Sequence, residues 1–137
     1  MSEPLTAGCL CGAVRFEVTE APVVAYYCHC TRCQRRTGTA AAPGARVPSG
    51  AVRVVQGEDR VRRYVPDTGL PKAFCDDCGS ALWAEDRDSG EPVAVRMGAF
   101  DEDPGIRPSY RQFTAYAAPW EPIPDDGLPR HPERAPA

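Results

Sequence analysis

The placement of seven cysteines constrains this chain more than any other feature. They fall into three tight clusters, Cys9-Leu-Cys11, Cys28-His-Cys30-Thr-Arg-Cys33 and Cys75-Asp-Asp-Cys78. Any fold the chain adopts must bring these short, regular sulfur pairs together. An odd total cannot be consumed by disulfides, whereas four plus three matches one closed tetrahedral metal site and one open site. Four protein ligands suit a structural ion. Three leave a coordination position for water or a substrate atom.

Local geometry supports that division. Residues i and i+2 of an extended strand point to the same side, so Cys9 and Cys11 can share an ion, as can Cys28 and Cys30. Cys33 rejoins Cys30 if the chain turns into a helix there, and one segment then supplies three thiolates. Cys75-Asp-Asp-Cys78-Gly79 has the form of a zinc knuckle, a reverse turn closed by glycine, and supplies half a site. Cys9 and Cys11 are the pair left to complete it. The expected arrangement is two zinc ions per chain, a structural one on Cys9, Cys11, Cys75 and Cys78 and an open one on Cys28, Cys30 and Cys33. Two alternatives stay open: Cys9 and Cys11 could complete the central cluster, or Cys75 and Cys78 could be a redox pair, although no βαβ pattern surrounds them. His29 lies between two same-side ligands, so its side chain should point away and pack behind the site.

At 137 residues with 42% apolar content, the chain is the size of one domain. We expect a single zinc-binding domain over 1–128 and a flexible C-terminal tail over 129–137, where Pro and charged residues leave little to bury. Trp120 reads as the apolar anchor of the segment before that tail, and His131 as a solvated residue within it. The formal charge is −3 with both signs interspersed, which gives no nucleic-acid footprint. No segment approaches the ~18 consecutive apolar residues of a membrane span, and the first residues lack a basic start and an apolar run. The expected location is the cytoplasm, where clustered cysteines more often mean metal or redox chemistry than disulfides.

Fifteen prolines and twelve glycines cut the chain into short pieces, and the pattern is mainly β. Strands are expected over 13–18, 23–27, 51–55, 61–65, 80–84, 93–97 and, last, 110–116, several of them alternating apolar and polar residues. The one helix candidate is short, from Thr31 as N-cap to about Thr37, closed by Gly38. Asp76, Asp77 and Glu85 are the carboxylates nearest the cysteines by motif and should face solvent.

Three ordered motifs carry a family resemblance: Gly8-Cys-Leu-Cys-Gly-Ala-Val-Arg-Phe16, Cys28-His-Cys-Thr-Arg-Cys-Gln-Arg-Arg-Thr-Gly38 and Phe74-Cys-Asp-Asp-Cys-Gly-Ser80. Together they resemble the glutathione-dependent formaldehyde-activating enzyme (GFA) family, and the similarity runs on through Met97-Gly-Ala-Phe-Asp101 to Gly127-Leu-Pro129. The resemblance implies a mainly β, tent-like set of small sheets stapled by zinc. It also implies a structural ion on Cys9, Cys11, Cys75 and Cys78 and a catalytic one on Cys28, Cys30 and Cys33.

The implied activity is that of a carbon–sulfur lyase, the reversible condensation of formaldehyde with the glutathione thiol to S-hydroxymethylglutathione. The partners would be a small thiol such as glutathione and an aldehyde. Arg32, Arg35 and Arg36 lie close enough in sequence to receive the carboxylates of such a thiol. The competing readings are a thiol carrier that captures without catalysing, favoured by the want of an evident general base, and a zinc-stabilised binding module. Tyr26, Tyr27, Trp83, Phe100 and Trp120 are expected in the core rather than in a pocket wall.

Overall fold

The computed structural model describes residues 3–136. Among them the chain forms β1 (Leu5–Gly8), β2 (Arg15–Val18), β3 (Val24–Cys28), α1 (Thr31–Thr37), β4 (Ala42–Arg46), β5 (Val52–Gln56), β6 (Val61–Tyr64), β7 (Lys72–Cys75), β8 (Ala81–Glu85), β9 (Pro92–Arg96), β10 (Pro108–Gln112) and β11 (Arg130–His131). The expectation of a mainly β protein with one short helix after the central cysteines is met.

Two sheets result. The smaller is antiparallel in the order β1-β2-β5, and the larger holds eight strands in the order β11-β10-β3-β4-β9-β8-β7-β6. Within the larger sheet β10 runs parallel to both β3 and β11, while the other pairs are antiparallel.

Strand alternation decides which residues are buried. Arg15-Phe-Glu-Val18 turns Phe16 and Val18 inward, and Lys72-Ala-Phe-Cys75 turns Ala73 and Cys75 inward. These join Ala7, Val14, Leu82, Trp83 and Val95 in one core between the sheets. Phe16 meets Trp83 edge to face, with centroids 5.0 Å apart and planes at 78°, a geometry that contributes about 0.5–1.5 kcal/mol beyond the area it buries.

The same alternation gives the large sheet a second, more polar face. In register across it run Lys72, Ala84 and Ala94, then Arg96, Gly44 and Tyr26. Helix α1 covers this side: Cys33 clusters with Cys28 and Ala42, and the Arg36 guanidinium lies 5.7 Å from the centroid of Phe74.

Several expectations are corrected. The helix N-cap is Cys30, not Thr31; its sulfur accepts from the Cys33 amide, and Gly38 ends the helix in the left-handed region. The strand expected over 110–116 is β10 at Pro108–Gln112, and it breaks at Phe113 (φ 56°) into a 3-10 turn. It is not the last strand, because residues from Pro129 onward dock rather than trail. Arg130–His131 form β11 on β10, the Phe113 amide donates to the Glu133 carbonyl at 2.9 Å, and His131 packs edge-on against Tyr110. Trp120 is no anchor, being 66% exposed. Strands β1, β4, β7 and β11 had no sequence expectation.

Candidate metal centre

The first cysteine group draws on three pieces of chain. Cys9 and Cys11 sit in the turn between β1 and β2 rather than in a strand, so the same-side argument from strand geometry is replaced by turn geometry. The turn is held by the Cys9 amide to the Val14 carbonyl at 3.1 Å and the Val14 amide to Cys9 Sγ at 3.2 Å. Cys75 ends β7 and Cys78 follows in a reverse turn closed by the Gly79 amide on the Cys75 carbonyl at 2.8 Å. Ser80 joins the two halves, accepting from the Leu10 amide at 3.0 Å while its hydroxyl lies 3.2 Å from Cys78 Sγ. Hydrogen bonding from Ser80 lowers the Cys78 thiol to about 5, which favours the thiolate that a metal requires.

The donor geometry fits zinc. A tetrahedron with metal–sulfur bonds of about 2.3 Å has sulfur–sulfur edges of about 3.8 Å. Cys9 and Cys11 Sγ are 3.6 Å apart, Cys11 and Cys75 Sγ are 3.9 Å apart, and all four sulfurs lie within 4.8 Å of one another.

The second group is local. Cys28 ends β3, Cys30 continues in extended conformation (φ −63°, ψ 153°) and caps α1, and Cys33 follows one turn later. Their sulfurs also lie within 4.8 Å of one another, and among the described residues no fourth cysteine, histidine or carboxylate donor joins them. Cys28 and Cys33 are buried while Cys30 is half-buried, so the group is most accessible on the Cys30 side. Hydrogen bonds from Cys28 and Cys30, with Arg96 beside them, hold the Cys33 thiol far below its ordinary range. The same close packing of sulfurs, together with burial, pushes Cys28 upward. A metal cation here would displace the Cys28 proton, so its affinity should strengthen as pH rises.

His29 points away from the sulfurs, as expected. It is buried, and its Nε2 lies 3.2 Å from Arg111 Nη1. Arg111 in turn lies over the Tyr27 ring at 4.3 Å and pairs with Asp126 at 2.8 Å. Asp76 and Asp77 are exposed and face Arg60. Glu85 is corrected: it is only 4% exposed, accepts from Trp83 Nε1 at 2.9 Å and pairs with Arg63.

The cations beside the three-cysteine group differ from those the sequence offered. Arg32 is tied to Thr68 through its carbonyl at 2.6 Å and its hydroxyl at 3.0 Å, and Arg35 is exposed. Arg36, one helical turn from Cys33, is the member of that trio turned toward the sheet. Two further cations were missed: Arg96, with Nη2 3.8 Å from Cys33 Sγ, and Lys72. Burial lowers both the Lys72 ammonium and the Arg36 guanidinium from their ordinary values, and the charge of Arg96 lowers both further. The signal that could have found them is alternation, since Lys72 and Phe74 must face opposite to buried Ala73 and Cys75.

Comparison with known proteins agrees with this architecture. The family model of the glutathione-dependent formaldehyde-activating enzyme matches residues 4–116. The chain belongs to the GFA family. The match takes in all three cysteine clusters and stops short of the Gly127-Leu-Pro129 stretch. A crystal structure of a Rhodobacter sphaeroides protein, solved as a structural-genomics target, is similar at 30% identity. That similarity covers 76% of this chain and 92% of that one, with a TM-score of 0.54. No curated protein matches at a significant level. As in other GFA chains by name, the activity suggested is glutathione-dependent formaldehyde activation, and both cysteine groups could bind metal ions, consistent with zinc. Among the described residues, no helix is long and apolar enough to cross a membrane.

Proposed function

We propose that this GFA-family chain is a zinc-dependent carbon–sulfur lyase that forms or cleaves the adduct of a small thiol and formaldehyde, S-hydroxymethylglutathione or a close relative. In this reading Cys9, Cys11, Cys75 and Cys78 hold a structural zinc, Cys28, Cys30 and Cys33 hold the reactive one, and the protein works in the cytoplasm. The observation that carries it is that, among the described residues, one group has three sulfurs and no fourth protein donor while the other has a complete set of four.

When bound at the open group, zinc supplies a coordination position and modest Lewis acidity, modest because three thiolates already give the site a formal charge of about −1. The chain supplies orientation. Buried Cys28 and Cys33 fix the site against the sheet, and Cys30 leaves it accessible on one side. In the condensation the thiol sulfur forms a bond to the formaldehyde carbon, the carbonyl π pair moves onto oxygen, and the thiol proton finishes on that oxygen. The carboxylates nearest the cysteines in sequence, Glu85, Asp76 and Asp77, do not stand ready as bases, since Arg63 and Arg60 hold them. Holding the reactants together therefore contributes more than proton transfer does.

The engagement of those three carboxylates favours a second reading, a thiol carrier that binds without accelerating the reaction. Following the loss of free formaldehyde with several thiols, with metal analysis of wild type and Cys30→Ser, separates the two. The lyase predicts a rate above the uncatalysed one that disappears with the second zinc in Cys30→Ser. Bound thiol with an uncatalysed rate leaves the carrier, and one zinc per intact chain removes the two-site assignment.

A further inference from the structure

Six of the chain's arginines, Arg15, Arg53, Arg60, Arg63, Arg107 and Arg111, are paired with carboxylates. The cations around the three-cysteine group are not. Among the described residues, Arg36, Lys72 and Arg96 have no carboxylate within 4.0 Å, and all three are half-buried. Arg36 Nε is buried with no hydrogen-bond partner, while its guanidinium carbon lies over the Phe74 ring, 5.7 Å from the centroid. Lys72, the chain's only lysine, shares a strand face with Phe74, two residues along β7. Arg96 reaches the Cys33 sulfur itself.

Three cations around a group whose formal charge with a divalent ion is about −1 leave a surplus of about two positive charges. Such a surplus in a half-buried setting attracts an anion, and it is stronger there than on open surface. A guanidinium held over an aromatic ring keeps N–H groups for a carboxylate, and a nearby ammonium adds a point charge.

We propose that Arg36, Lys72 and Arg96 form an anion-binding subsite beside the three-cysteine group, which receives a carboxylate carried by the thiol ligand. The subsite makes this chain selective for acidic thiols over neutral ones of equal size. The proposal rests on the reading that the open group binds a thiol, and its test has an arm that does not.

The test uses zinc-loaded full-length protein and calorimetry with three probes: 3-mercaptopropionate, the neutral 3-mercapto-1-propanol, and succinate, which has no thiol. The variants are Lys72→Met and Arg36→Gln, with zinc content measured in each. Wild type should bind the acidic thiol about tenfold or more tightly than the neutral one, the size of one charge-assisted hydrogen bond. Each variant should cut that preference to about twofold or less while keeping its zinc, and succinate should bind wild type and lose binding in Lys72→Met. Equal binding of the two thiols by wild type, or an undiminished preference in both variants, overturns the subsite. Loss of zinc with the charge also overturns it, since the cations would then serve the thiolates alone. If neither thiol binds but succinate still depends on Lys72, the thiol reading fails and the subsite stands.

Discussion

Gly44 shows how one residue on the polar face of the large sheet sets the site. A Cβ there would lie 2.8 Å from the Tyr26 phenol oxygen and 2.9 Å from its ring carbon, and Tyr26 cannot simply retreat because Tyr110 stacks on it with centroids 5.7 Å apart. Gly44→Ala should therefore destabilise the fold by about 1–3 kcal/mol, the usual cost of overpacking. Gly44→Ala combined with Tyr26→Leu should recover most of that loss, and urea denaturation of both variants measures it. The cysteine clusters were legible in the sequence because their spacing is local, and the four-sulfur group followed by joining the two pairs left over. Arg36, Lys72 and Arg96 were not, because a helix, β7 and β9 bring them together, and only the strand register reveals that convergence. Glu85 was misread for a similar reason: its partners Trp83 and Arg63 are set by strand geometry rather than by nearness to the knuckle.

At the scale of elements, β4 was hidden by its own composition. Ala42-Pro-Gly-Ala-Arg46 contains two residues that weaken strands. Pro43 is tolerated because β9 pairs only with Gly44 and later residues, so no ladder bond is needed from Pro43 on that side. The C-terminal segment misled in the opposite direction, since a polar, Pro-rich stretch can still be ordered by backbone pairing with β10. One clamp on it is Asp126, whose carboxyl is held below the ordinary aspartate range by Arg111 and by the Leu128 amide. A folded-state value below the unfolded one means that the pair stabilises above about pH 4, the ordinary aspartate value, and that this stabilisation fades as pH falls through the depressed value. Asp126→Asn should melt below wild type at pH 7, and the difference should shrink progressively in melting curves taken at successively lower pH below the ordinary aspartate value.

For the whole molecule, the two cysteine groups have unequal reach. One ties the β1–β2 turn to the knuckle after β7, across 64 residues between Cys11 and Cys75; the other lies within a single segment. If the first is structural, Cys75→Ser should lower the melting temperature by about 10 °C or more, since several kcal/mol of metal-linked folding energy is lost. Cys33→Ser should remain folded with one zinc fewer, and differential scanning calorimetry with metal analysis distinguishes the two. Equal destabilisation would contradict the division. The parallel pairing of β3 with β10 has a further consequence, which concerns the order of synthesis. The Cys28–Cys33 segment directly follows β3, but β3 borders β10, which is made much later, Ser109 lying 84 residues beyond Ala25. A nascent chain therefore carries an unpaired edge on β3 until β10 has been made, and the central sheet closes only then.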